Sequence, residues 1–135
     1  MRLNNTDFMT VKESSVTTLY DLVEKVKAEI DVAKVGMIVC HNGIVRATSR
    51  AGEPAEYLDV DVDQAVWDKI LEEMRNEEGI SAVEAHLFTG RRNIGDDVML
   101  VVVAGDIREN VFPVLEKTVN RLKKEAVLKK EKITA

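Results

Sequence analysis

The sequence of 135 residues predicts a single α+β domain, residues 1–135, with a mainly antiparallel sheet and three main helices. Three segments place apolar residues at helical spacing, and several shorter segments are apolar or alternate between apolar and polar residues, as strands do. Hydrophobic residues make up 45% of the chain and charged residues 32%, a balance typical of a soluble globular protein. The predicted element order is β-α-β-β-α-β-β-α.

The first two helices are predicted from apolar periodicity and from their end signals. The first begins after Thr17 or Thr18, because a hydroxyl there can accept from the free amides of the first turn, and it runs to about Ile30. The second lies within residues 63–79, and Gly79 is its expected end. Its buried stripe is predicted to be Val66, Ile70 and Met74.

The third helix is predicted over residues 108–124 and is allowed to continue further. Asp106 and Glu109 have the spacing of a capping box, although such a box prefers Ser or Thr first. Pro113 would kink this helix, or it would lie in the first turn if the helix began at Asn110. The predicted buried stripe is Leu115, Val119, Leu122 and Ala126.

The remaining regular elements are predicted strands, with one long turn among them. The strands are residues 7–13, 34–46, 55–62, 80–88 and 97–105. A break is expected near Asn42 and Gly43, and the very apolar segment DVMLVVVAG (97–105) is expected to be central. Residues 89–97, TGRRNIGDD, are predicted to form a turn with exposed arginines, because they lack the Lys-Ser/Thr of a phosphate-binding P-loop.

The composition excludes several classes of function. The formal net charge of -5 argues against a general nucleic-acid binder. A single cysteine, Cys40, excludes an intrachain disulfide and a thiolate metal cluster, and His41 and His86 lack metal-ligand spacing, so no metal is expected. Both histidines are therefore expected to have surface or core roles. No apolar stretch is long enough to span a membrane and residues 1–15 carry no hydrophobic signal region, so a cytoplasmic location is expected.

The segment RLKKEAVLKKEKI, residues 121–133, is basic in an acidic chain. Residues 121–135 carry a formal charge of +4, and the rest of the chain therefore carries -9. If the last helix continued unbroken, Lys123 and Lys130 would lie on one stripe, because seven residues are close to two helical turns. Two ammonium groups there favour a bound anion or a lowered lysine pKa, whereas a solvated helix end is the simpler interpretation.

Four segments, in this order, resemble the large catalytic subunit of molybdopterin synthase, so that the chain looks MoaE-like and divergent. VGMIVCHNGIVR (35–46) is similar to that family's strand ending in Gly-x-Val-Arg, and HLFTGRRNIGDDVMLVVVAG (86–105) is similar to its strand, Gly-Asp turn and apolar strand. DIRENVF (106–112) resembles the family's His-Arg-x-x-Ala-Phe helix start. RLKKEAVLKKE (121–131) resembles its Leu-Lys, Pro-aromatic-Trp-Lys-Lys-Glu ending.

This resemblance implies a fold of the α/β-hammerhead type and a function in molybdenum cofactor biosynthesis. In that family, sulfur passes from the C-terminal thiocarboxylate of a small ubiquitin-like subunit to cyclic pyranopterin monophosphate, which forms the dithiolene of molybdopterin. The resemblance implies no cofactor and no metal for this transfer. It also implies a homodimer of large subunits, with one small subunit on each, in a heterotetramer.

The resemblance also implies a site made of cations. Arg46 and Arg108 would contact the anionic pterin substrate, and Lys123 matches the first lysine proposed to act in catalysis. The second lysine is Lys130 without a gap, or Lys129 if the two Lys-Lys-Glu triplets are aligned by deleting one residue. The sequence leaves this choice open.

Several residues depart from the family pattern. Ile107 replaces the histidine of the His-Arg pair, Leu87-Phe88 replace another His-Arg pair, and Val127-Leu128 replace the Pro-aromatic step. These changes lie around one expected pocket. They leave open an alternative to the synthase function, in which the chain is a catalytically inactive homologue that serves as a dimeric binding or regulatory module.

Overall fold

A computed structural model describes residues 17–133, which form three α-helices and six strands. The helices are α1 (Leu19–Glu29), α2 (Gln64–Arg75) and α3 (Arg108–Arg121). The strands are β1 (Met37–Ile44), β2 (Ala55–Val62), β3 (Ile80–Leu87), β4 (Gly90–Asn93), β5 (Asp97–Gly105) and β6 (Val127–Ile133). The predicted α+β class with three helices is confirmed, and the predicted strand at residues 7–13 lies outside the described residues.

The first sheet has the order β1-β5-β3, and both pairings are antiparallel. Strand β5 is buried on both faces, which explains its continuous apolar sequence. Met99, Val101 and Val103 face the core beneath α2 and α3. Leu100, Val102 and Ala104 face α1. The prediction that residues 97–105 form a central strand is therefore confirmed.

The second sheet has the order β4-β2-β6, also antiparallel. Strand β4 corrects the prediction that all of residues 89–97 form a turn, since Gly90–Asn93 pair with β2. The sequence GRRN of β4 has no alternation of apolar and polar residues, so the strand could not be predicted from its pattern. The guanidinium carbon of Arg91 lies 3.7 Å from the centre of the Tyr57 ring, and Arg92 lies over the Phe88 ring. The remaining turn contains Gly95, whose φ of 89° favours glycine.

Helices α1 and α2 follow the predicted pattern with small differences. Thr18 caps α1 and forms a capping box with Asp21. Asp63 caps α2, which ends at Arg75, four residues before Gly79. Of the predicted α2 stripe, Ile70 and Met74 are buried and Val66 is half-buried. Trp67 and Leu71 complete the buried face.

Helix α3 begins at Arg108, and its start differs from the predicted capping box. Ile107 occupies the cap position without a side-chain hydrogen bond. Asp106 Oδ1 instead accepts from the Ile107 amide at 2.6 Å and from Asn110 Nδ2 at 2.9 Å. Pro113 lies inside the helix, beyond its first turn. The fully or largely buried face consists of Val111, Val114, Thr118 and Leu122, while the predicted Leu115 and Val119 are half-buried.

The helix continues beyond Arg121 only as a short π-helical turn, so the prediction of a helix over residues 108–124 holds, whereas an unbroken helix to Lys130 is wrong. Residues Leu122–Ala126 form one π-helical turn, and Val127–Ile133 then form β6 along the edge of β2. The Asp63 amide donates to the Ala126 carbonyl at 2.9 Å, which fixes the point where the chain turns back. Val127 packs against both the main core and a second apolar cluster around β2. Backbone pairing and this apolar contact outweigh the helical tendency of the lysine-rich sequence.

No helix in residues 17–133 is long and apolar enough to cross a membrane.

We expect Leu122→Ala to lower the free energy of unfolding by about 3 kcal/mol, because it leaves a cavity where α3 meets β6. Leu122 is fully buried, whereas Leu128 is 56% exposed. Leu128→Ala is therefore the matched control, with an expected change within about 0.5 kcal/mol. Urea unfolding followed by circular dichroism measures both. Equal losses for the two variants would contradict the described position of the π-helical turn.

Candidate functional site

Strand β1 and helix α3 lie side by side and run in the same direction. The residues that begin them, among them Met37 and Arg108, line one cavity. Further along, His41 of β1 lines a second cavity with α3 residues up to Asn120. The residues that follow each element, Arg46 and Lys123, therefore come together at the same edge of the domain.

Lys123 lies among three other cationic side chains. Its pKa is lowered from 10.5 by partial burial of the ammonium group, and then by the positive charges of Lys129, Arg50 and Arg46. We call Arg46, Arg50, Lys123 and Lys129 the cationic cluster. All four residues have exposed surface, and none forms an ion pair with a carboxylate of residues 17–130.

The positive charges of the cationic cluster are not neutralised by ion pairs with carboxylates of residues 17–130. Other basic side chains do find partners: Arg121, for example, pairs with both Glu73 and Glu125. Arginine offers a planar fork of donors that suits phosphate or carboxylate, and lysine offers a compact charge. A lysine with a lowered pKa also holds a larger fraction of neutral amine for proton transfer. The cluster can therefore bind an anion and exchange protons with it.

The structure distinguishes Lys129 from Lys130. Neighbouring residues of a strand point to opposite faces of the sheet. Lys129 pairs with the buried Val60, whereas Lys130 pairs with the exposed Asp59. Lys129 is also the residue whose charge lowers the pKa of Lys123. Lys129 therefore shares the cluster with Lys123, and the helical stripe predicted for Lys123 and Lys130 does not exist.

Arg50 was missed by the sequence analysis, and a tight turn holds it in place. The Gly52 amide donates to the Ser49 carbonyl at 2.9 Å, and the buried Ser49 hydroxyl accepts from the Glu53 amide at 3.1 Å. Gly52 has a φ of 89°, so this closure suits glycine. The small and polar residues of TSRAGEP indicate such a turn, but not where its arginine points.

Arg108 lies away from the cationic cluster within one chain. It is the first residue of α3, and Lys123 follows about 20 Å further along the helix axis at the usual rise per residue. Its side chain is 77% exposed and lies 3.9 Å from a Glu109 carboxylate oxygen. The exposed Ile107 beside it supplies no polar group. One chain thus unites Arg46, Lys123 and Lys129 of the predicted site, and leaves out Arg108 and Lys130.

A groove of about 600 Å³ opens along β2 and β6 next to the cluster. Asp59, Val60, Asp61, Thr89, Gly90, Leu128, Lys129 and Lys130 line it. Lys129 is the residue common to the groove and to the cationic cluster. Asp59, Asp61, Leu128 and Lys130 belong to the sheet face opposite Lys129, so the groove runs along that face and meets the cluster at Lys129. Among the side chains of residues 17–130, no group of three or more His, Cys, Asp or Glu residues could hold a metal ion.

Comparison with known protein families identifies the chain. A family model described as "MoaE protein" matches residues 11–125. The chain belongs to the MoaE family. This membership confirms the resemblance read from the four sequence motifs. The match ends at Glu125, before Lys129 and Lys130, so the family model does not distinguish between these two lysines.

A curated protein is similar to most of this chain. A protein of Haloferax volcanii described as "Probable molybdopterin synthase" is 33% identical over 123 residues. The match covers 87% of this chain and 47% of the relative, so the chain spans about half the length of that protein.

Two solved structures share the fold of this chain. A molybdopterin synthase structure from Staphylococcus aureus matches with a TM-score of 0.70 at 21% identity, covering 88% of this chain and 86% of that chain. A complex of subunits 1 and 2 of molybdopterin-converting factor from Helicobacter pylori matches with a TM-score of 0.65 at 20% identity, covering 85% and 78%. These similarities confirm the predicted fold.

We expect Lys129→Met to raise the pKa of Lys123, because it removes the positive charge with the largest effect among the three that lower this pKa. Lys130→Met, which removes the neighbouring lysine on the other face, should leave that pKa unchanged. Side-chain NMR of ¹⁵N-labelled lysine, followed across a pH titration, measures both variants. A larger effect from Lys130→Met would reverse the assignment of the second site lysine.

Proposed function

We propose that this MoaE-family chain acts in molybdenum cofactor biosynthesis as the large subunit of molybdopterin synthase. It would transfer sulfur from the thiocarboxylate of a small ubiquitin-like subunit to cyclic pyranopterin monophosphate. The observation that carries this proposal is the cationic cluster of Arg46, Arg50, Lys123 and Lys129, which has no carboxylate partner in residues 17–130.

The charges of the reactants explain why such a cluster is suitable. The pterin substrate carries a phosphate, the sulfur donor is an anionic thiocarboxylate, and the transfer leaves a carboxylate. These anions repel one another unless fixed cations lie between them. Arg46 and Arg50 can hold oxygens of a phosphate through paired N–H donors. Lys123, with its lowered pKa, and Lys129 can stabilise charge on sulfur and oxygen and move protons.

The groove along β6 supports a place for the small subunit. An extended C-terminal tail laid in this groove would bring its last atoms towards Lys129. The Helicobacter pylori relative was solved as a complex of two subunits. The partner, its thiocarboxylate and the cytoplasmic location of the reaction are parts of this proposal.

Arg108 requires a second copy of the chain in this proposal. It lies at the far end of α3 from Lys123, so one chain cannot place both on one substrate. The homodimer within a heterotetramer implied by the resemblance would allow Arg108 of one copy to approach the cluster of another. This arrangement stays a prediction.

The alternative function is a catalytically inactive homologue that binds a partner as a dimeric module. One observation favours it: Ile107 is 54% exposed at the start of α3 and offers no polar group in the position of the family's histidine. Reconstitution distinguishes the two functions. The purified chain is mixed with a thiocarboxylated small subunit and the pterin precursor, and molybdopterin is measured. No product, beside an active positive control, would exclude the enzymatic function and support the alternative.

We expect Lys123→Ala to reduce molybdopterin formation at least about a hundredfold, since it removes a cation and the proton carrier from the cluster. The melting temperature should stay within about 2 °C, because exposed substitutions rarely change stability much. Lys124→Ala is the matched control, since Lys124 is exposed and is not among the charges that lower the pKa of Lys123. A large loss of thermal stability in Lys123→Ala would instead show a structural role.

We expect Arg50→Ala to raise the KM for the pterin monophosphate about tenfold, because a charge-assisted contact to phosphate is lost. The kcat should change less. Arg91→Ala provides the control, because Arg91 stacks on Tyr57 and lies outside the cluster. Steady-state kinetics with a fixed excess of small subunit measures this. Equal KM values in the wild-type protein and Arg50→Ala would remove Arg50 from the substrate site.

A further inference from the structure

The imidazole of His41 lies between β1 and α3 in a cavity of about 390 Å³. The other lining residues are Phe112, Leu115, Glu116, Val119 and Asn120 of α3. The ring covers Gly43, where a Cβ atom would lie 3.0 Å from Nε2. This nitrogen is buried and has no hydrogen-bond partner in residues 17–130. A buried polar atom without a partner is costly, so its position requires an explanation.

Lys123 lies one helical turn beyond the α3 residues that line this cavity with His41. The cavity residues of α3 recur at intervals of three and four, and Lys123 follows Val119 and Asn120 at the same spacing. Electrostatics agrees with this placement: burial lowers the pKa of His41, and the positive charge of Lys123 lowers it further. The Lys123 side chain is therefore near enough for its charge to act on the imidazole, from a position one turn beyond the cavity residues of α3.

No side chain of the cationic cluster can accept a hydrogen bond. The Lys123 ammonium has three donors, but the side chains of Arg46, Arg50 and Lys129 are also donors only. Glu116 lies two turns back on the same helix, about 10 Å along its axis. A neutral imidazole can accept a hydrogen bond. It is also uncharged, so it adds no repulsion to the cluster.

We propose that His41 is a positioning residue for Lys123, whose ammonium group donates a hydrogen bond to the neutral imidazole when the side chain turns into the cavity. As a role in sulfur transfer, this inference rests on the proposed function. The bond would hold the ammonium at one point beside the bound anions.

The proposal predicts a defined dependence on pH. The imidazole accepts only while neutral, and protonation would add a positive charge facing Lys123, which already lies near the charges of Arg46, Arg50 and Lys129. Because the pKa of His41 is lowered from 6.5, the neutral form persists below that pH. Activity should therefore fall on the acidic side only as pH passes below the usual histidine range. Glu116, the carboxylate that lines the cavity, is too far along α3 to replace the imidazole as acceptor.

The direct test measures Lys123 by ¹⁵N side-chain NMR, without requiring enzymatic activity. His41→Phe keeps a ring but removes the acceptor, and should lower the pKa of Lys123 by about one unit, because the ammonium form loses its hydrogen bond. His41→Gln restores an acceptor at a similar reach and should return the pKa towards the wild-type value. His86→Phe is the matched control, since His86 lies on β3 and packs edge-to-face against Phe88.

Kinetics provides the second measurement. If reconstitution yields activity, His41→Phe should lower kcat about tenfold with little change in KM, and His41→Gln should recover most of the loss. An unchanged Lys123 pKa in His41→Phe would overturn the proposal, as would equal losses in the Phe and Gln variants. If the pKa responds as expected but no variant or wild-type protein makes molybdopterin, the contact between His41 and Lys123 stands and the proposed function fails.

Discussion

The pairing of β6 with β2 is the constraint on which the site depends. It turns the chain back immediately after α3 and lays the basic segment against the second sheet. Without this pairing, the lysines would continue along a helix and diverge into solvent. With it, Lys129 returns to the edge where β1 ends, and Lys123 lies between them. A backbone interaction, which does not depend on the charge of the side chains, thus determines where the charges meet.

The cluster opposes the stability of the fold that holds it. The pKa of Lys123 is lowered from 10.5, so its charged form is less favourable in the folded protein than in the unfolded chain. Its contribution therefore destabilises the folded state at neutral pH, and this effect disappears as pH rises towards the unfolded value. Burial on both faces of β5 provides ample compensation. The core of the molecule is apolar, and the cationic cluster lies at the margin of this core.

The sequence predicts those elements whose signal is local. Apolar periodicity predicted α1 and α2, and a continuous apolar run predicted the central strand β5. In each case the buried residues belong to the element itself. Neither pattern could locate β6 or β4, whose pairing with β2 is a tertiary interaction between charged and distant segments. For the same reason, the sequence could not choose Lys129, which depends on strand register, or find Arg50, whose direction depends on a closed turn. The family motifs supplied Arg46 and Lys123, which local patterns alone would have assigned to solvated surface.

The π-helical turn at Leu122–Ala126 has a consequence for comparing such proteins. A π turn holds one more residue than an α turn, so it takes up an extra residue without shifting the elements on either side. Two relatives could then place their second lysine six or seven residues after the first and still bring both ammonium groups to the same point. Alignment by residue count would separate these lysines, although they occupy one position in space. For a bound anion, the relevant distance is the one in space between the two ammonium groups, across the turn that joins the last helix to the edge of the sheet.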